Sequence, residues 1–170
     1  MIQAGNENIR EIYLAGGCFW GLEAYMERID GVKDATVGYA NGKTLNTNYQ
    51  EVKVTDHAET VHVTYDETVV SLYDILRYYF RVIDPLSVNK QGNDVGRQYR
   101  TGIYYTNDND LPVIERIMSE QESLLGQKLA VEVEPLDNYV LAEEYHQDYL
   151  KKNPGGYCHI NVDDAYKPLS

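Results

Sequence analysis

The chain has 170 residues, enough for one domain with a full core, and its 43% hydrophobic and 25% charged content is ordinary for a globular protein. Acidic residues outnumber basic ones by 27 to 15, and the net charge of −12 comes with no basic stripe, which argues against a nucleic-acid surface. No apolar run approaches the ~20 residues of a membrane helix, residues 1–11 lack the apolar region of a secretory signal, and two widely separated cysteines make no disulfide framework. A cytoplasmic monomer is the expectation, with no membrane or nucleic-acid partner.

Residues 12–15 have strand length and composition. Leu22, Met26 and Ile29 then recur at i, i+4 and i+7, the apolar face of a helix closed at Asp30-Gly31. Residues 32–40 alternate loosely as a strand. Gly38 to Thr44 has three residues between its glycines where a phosphate-binding loop needs four, so it is a polar turn. Residues 41–49 are loop, and 51–56 are ambiguous. Residues 60–65 alternate cleanly as a strand. Ser71 and Asp74 resemble a capping box for an amphipathic helix through Leu72, Ile75, Leu76, Tyr79 and Ile83, stopped by Pro85. A long polar loop covers 86–100, and loops of that length are often functional. A strand at 101–106, a helix at 111–125 capped by Asn109 or Asp110, a short strand at 131–133 and a last helix at 143–152 complete the order β-α-β-β-α-β-α-β-α. Its first six elements follow the ferredoxin-like βαββαβ order. The fold class is therefore α/β (α+β), a two-layer sandwich on a mixed, largely antiparallel sheet. One domain spans 1–170, with its core at about 10–160 and a loose tail after it.

The stretch Ala15-Gly16-Gly17-Cys18-Phe19-Trp20-Gly21 places one cysteine at a strand-to-helix turn. Free helix N–H groups and the positive end of the helix dipole favour a thiolate there. Glycines 16 and 17 permit the tight turn and leave the sulfur approachable. A cysteine among apolar residues is more often an inert hydrophobe, but the flanking glycines and the helix start reverse those odds. The sixteen tyrosines against two phenylalanines offer apolar area with hydroxyls, for a pocket or simply for the core. The four histidines and two cysteines show no metal-ligand spacing, so no metal is expected.

These residues also carry a resemblance. Gly16 to Gly21, His57-Ala58-Glu59, the run from Gln91 to Arg100, and Lys152 to Cys158 resemble, in order, the signature of A-type peptide-methionine sulfoxide reductases. Such chemistry needs a thiolate nucleophile, a proton donor for the oxygen and a greasy pocket for the S-methyl. Cys18 would attack sulfur, and Glu59, buried near a thiolate, would keep a proton to give. The resemblance implies that Tyr49 and Tyr99 bind the sulfoxide oxygen, that Phe19 and Trp20 wall the methyl pocket, and that Asp94 orders its loop. Tyr149, His146 and Tyr157 are further candidates. A sulfenic acid on Cys18 would condense with Cys158, the only other thiol, which the glycines before it bring across. The resemblance then implies reduction of that disulfide by thioredoxin, or by dithiothreitol in its place, with no other cofactor. The substrates would be oxidised proteins and free methionine sulfoxide of the S epimer. Taken singly, Glu59 reads as a solvated strand-end charge and the tyrosines as core. A cysteine hydrolase with His57 or His146 as base, and a non-catalytic aromatic binding module, stay open as alternatives.

Overall fold

The protein is described by a computed structural model covering residues 8–156 and 160–169. Strand β1 (Ile9–Ala15) leads into helix α1 (Phe19–Glu27). Strand β2 (Val32–Ala40), helix α2 (Val52–Thr55), strand β3 (Ala58–Asp66) and helix α3 (Leu72–Val82) follow. A small hairpin, β4 (Lys90–Gln91) and β5 (Asp94–Val95), precedes strand β6 (Gly102–Tyr105) and helix α4 (Leu111–Leu125). The chain closes with strands β7 (Glu132–Pro135) and β8 (Tyr139–Leu141), helix α5 (Tyr149–Lys152) and a 3₁₀ turn at Val162–Tyr166.

The main sheet has the order β7-β6-β1-β3-β2-β8. Every pairing in it is antiparallel except β6 with β7. This is a mixed α/β architecture on a mostly antiparallel sheet. The alternation that makes β1 a strand also divides its two faces: Ile12 and Leu14 enter the large core with α1, α3 and α4, while Tyr13 and Ala15 face a smaller cluster. Among the described residues, no helix is long and apolar enough to cross a membrane.

Much of the tyrosine excess is core. Tyr25, Tyr39, Tyr65, Tyr79 and Tyr104 are buried, and most of these hydroxyls are satisfied: Tyr25 on the Tyr78 carbonyl at 2.7 Å, Tyr79 on the Ala15 carbonyl at 2.5 Å, and Tyr104 on Glu132 at 2.8 Å.

Four expectations are corrected. Helix α1 ends at Glu27 rather than at Asp30. The supposed loop at 86–100 contains the β4–β5 hairpin and a 3₁₀ turn at Arg97–Tyr99, held by Gln91, whose amide bonds both backbone groups of Asp84 at 2.8 Å. The helix expected at 143–152 is two pieces, because Asp148 adopts φ 53° and breaks it. The segment after 160 is not loose. Ala165 is buried, Arg81 donates to the carbonyls of Asp164, Lys167 and Pro168, and Arg77 donates to that of Leu169.

Candidate active site

The site forms where β1 and β2 end and β3 begins. Cys18 is the N-cap of α1, with φ −64° and ψ 126°, and is 8% exposed. The turn before it needs Gly17, whose φ is 76°. Gly16 is bare for a different reason from the expected one. A Cβ there would lie 2.7 Å from Ile83 Cγ2, so the missing side chain admits α3 against the turn rather than opening the sulfur to substrate. Gly17 N–H also donates to the Tyr99 carbonyl at 3.2 Å, which ties the 97–99 turn to the cysteine loop.

Glu59 opens β3 opposite Tyr39 of β2 and is 2% exposed. Its Oε1 accepts the Phe19 N–H at 3.1 Å, the first amide of α1 beside Cys18. Burial pushes the carboxyl up to about 8, against the lowering effect of that N–H and with a further rise from the Asp94 charge. One oxygen is thus held by the helix terminus, and the other is left to carry a proton. Glu59 lines a cavity of about 290 Å³ with Tyr49, Gln50, Val52, Lys53, Gln98 and Tyr99. Burial, followed by the charges of Glu59, Cys18 and Asp94 among others, raises both Tyr49 and Tyr99, so their hydroxyls stay protonated and able to donate.

A second group stands on the other flank. Trp20 stacks face to face on Tyr149, with ring centroids 3.7 Å apart and planes 8° apart. The Trp20 indole N–H donates to His146 Nδ1 at 3.0 Å. Nδ1 must then be unprotonated, and the imidazole neutral with its proton on Nε2. Burial lowers the His146 pKa, which suits the neutral ring, although the nearby Glu143 charge acts in the opposite sense. The His146 ring also meets Phe19, Tyr49 and Tyr145 at 5.3, 4.9 and 4.3 Å. Phe19 is fully buried and lies beneath this layer against Tyr39.

Cys18, Phe19, Trp20, Tyr49, Glu59, Asp94, Tyr99 and Tyr149 are therefore brought together, whereas Cys158 and Tyr157 lie outside the described residues. Sequence reasoning missed Glu143. Its Oε1 accepts the Tyr39 hydroxyl at 2.7 Å and its Oε2 the Tyr49 N–H at 3.1 Å, so it places Tyr49 over the site. Burial raises this carboxyl, but its hydrogen bonds outweigh burial and hold it below the usual range. No local pattern signals a contact between residues more than ninety positions apart. Of the proposed hydrolase bases, His146 gives Nδ1 to Trp20, and His57 Nδ1 lies 2.9 Å from Thr55 Oγ1.

The family model described as peptide methionine sulfoxide reductase matches residues 10–169. The chain belongs to that family. Among solved structures, the reductase is similar to Mxr1 from Saccharomyces cerevisiae in reduced form, with 39% identity, coverage of 92% of this chain and 91% of that one, and a TM-score of 0.84. It is also similar to methionine sulfoxide reductase A of Corynebacterium diphtheriae, at 35% identity, coverage of 89% and 78%, and a TM-score of 0.76. Mxr1 in complex with Trx2 matches at 31% identity, coverage of 84% and 86%, and a TM-score of 0.62.

Proposed function

We propose that this reductase converts free and protein-bound methionine-S-sulfoxide to methionine, with Cys18 as nucleophile, Glu59 as acid and Cys158 as resolving thiol. The observation that carries this reading is the buried Glu59 carboxyl on the amide next to Cys18, where burial pushes its pKa up to about 8. Attack by the Cys18 thiolate on the sulfoxide sulfur builds charge on oxygen. Glu59 gives that oxygen its proton, and the Tyr49 and Tyr99 hydroxyls bind it. The oxygen ends on Cys18 as a sulfenic acid, and methionine leaves. The Cys158 thiol then displaces it as water, forming a Cys18–Cys158 disulfide that a thioredoxin dithiol reduces by exchange. The Trx2 complex of yeast Mxr1 supports thioredoxin as the reductant, with dithiothreitol as its small-molecule substitute. The chain works as a monomer in the cytoplasm and needs no metal.

The test separates chemistry from recycling. Cys158→Ser should still release about one methionine per enzyme in a first turnover. It should stall with thioredoxin and regain part of its turnover with dithiothreitol, which is small enough to reach the sulfenic acid. A missing burst, or normal cycling with thioredoxin, removes Cys158 from its role.

Trp20 is read as the wall against which the substrate methyl packs. Trp20→Ala should raise KM roughly tenfold for both methionine sulfoxide and dimethyl sulfoxide, since an indole face is a large share of an apolar contact. Lower thermal stability with an unchanged KM would assign the ring to the core instead.

A further inference from the structure

Trp20, Glu23 and Glu27 recur at i, i+3 and i+7, so they share one stripe of α1. Helix α5 and the residue before it lie along that stripe. Tyr149 stacks on Trp20. The Asp148 N–H donates to both carboxyl oxygens of Glu23, at 3.0 and 3.2 Å. Lys151 Nζ lies 3.2 Å from Glu27. The middle contact stands apart from the other two because Glu23 is 2% exposed. It also bonds the residue whose φ of 53° breaks the chain before α5. Aspartate enters the left-handed region more readily than most residues, and the Glu23 contact on its N–H favours that conformation here.

Glu23, Glu27 and Asp148 bring carboxylate oxygens within 4.8 Å of one another. Three acids alone would invite a cation, but Lys151 sits 3.2 Å from Glu27 and 3.8 Å from Asp148, so the chain supplies its own positive charge. Burial drives Glu23 up to about 8, opposed by the Asp148 N–H and helped by the Glu27 and Asp148 charges. Its part in this contact is that of an acceptor, since both carboxyl oxygens face the Asp148 N–H.

We propose that Glu23 is a positioning residue: by accepting the Asp148 N–H it fixes the break before α5, seats Tyr149 on Trp20 and so holds the indole in place. The value of that placement rests on the reading of Trp20 as a wall of the sulfoxide pocket.

Trp20 is the only tryptophan, so the emission of the ligand-free enzyme reports on it alone. Glu23→Met keeps length and burial but offers no acceptor. Its emission should move to the red and become more open to acrylamide. Its KM for a methionine sulfoxide peptide should rise roughly three- to tenfold, with the saturated first-turnover rate changed by less than about threefold. Glu23→Gln keeps a carbonyl and should return emission and KM to parental values. Asp148→Gly keeps the N–H and suits the left-handed conformation, so it too should hold parental emission. That variant carries the test if Glu23→Met does not melt cooperatively. Parental emission in a folded Glu23→Met, a Glu23→Gln that behaves like Glu23→Met, or a displaced emission in Asp148→Gly each overturns the proposal. Displaced emission with an unmoved KM supports the hold of Glu23 on Trp20 and overturns instead the reading of Trp20 as pocket wall.

Discussion

Cys18→Ser is expected to lower sulfoxide reduction by at least roughly 10³-fold while the protein keeps its fold, because the nucleophile is lost and the volume hardly changes. The serine hydroxyl occupies the same N-cap at the start of α1, so the helix terminus can only help an oxygen that is protonated at neutral pH. Packing around the position is dense, but Ser is no larger than Cys. Serine is also a favoured N-cap, so the variant should melt close to the parent temperature. The measurement is methionine release in a single turnover, which does not depend on recycling. Turnover near the parent rate would remove Cys18 from the mechanism and reopen the aromatic-module reading.

Glu59→Gln should slow formation of the sulfenic acid by roughly 10²–10⁴-fold, the usual range for a positioned acid. The amide can accept the Phe19 N–H as Glu59 does, so the α1 terminus stays in place, but it has no proton to give. The pH dependence has two parts. Burial pushes the carboxyl up to about 8 from its ordinary 4.5, so it is neutral and competent below about 8 and loses its proton as pH rises through that value. First-turnover activity of the parent should therefore fall on an alkaline limb near pH 8, and the Gln variant should lack that limb. For stability, the folded state takes up a proton between 4.5 and about 8. The contribution is full below 4.5 and declines across that window, because folding then requires either protonation or a buried charge. Glu59→Gln has no such penalty, so its melting temperature should gain on the parent as pH rises from about 5 to about 8. A flat difference across that range would mean that Glu59 is charged in the fold and is not the acid.

How much of this was legible follows from where each signal lies. The strand before Cys18, the helix after it and the paired strands of the sheet centre are written in local periodicity, and the Ser71 cap does accept the Asp74 N–H at 3.1 Å. Cys18, Phe19, Trp20, Glu59, Asp94 and Tyr99 could be singled out because each lies inside a local motif, whereas Tyr49 and Tyr149 lie outside all of them; the turn at Gly17 needs the residue that the motif supplies. The region from 139 to 152 was misread because its conformation is decided by distant partners. Strand β8 has no alternation and exists by pairing with the end of β2. Gln147 bonds both backbone groups of Val37 and the Ala142 carbonyl through its side-chain amide, acting as an extra peptide unit on β2. The Asp148 N–H at the break is bonded by Glu23, 125 positions earlier. No window of neighbouring residues contains those partners.

The docking of residues 160–169 on α1 and α3 bears on how the protein is made. Ile160 and Ala165 belong to the same buried cluster as Leu22, Tyr25 and Ile29, and the arginines that secure the segment lie more than eighty positions upstream. Domains fold as units while the ribosome delivers them, and contacts this far apart form late. The surface of the first and third helices that this segment covers therefore stays bare until residues 160–169 have been made. A chain in which residues 160–169 are not yet made would leave the apolar surface beside Leu22, Tyr25 and Ile29 without the cover of Ile160 and Ala165.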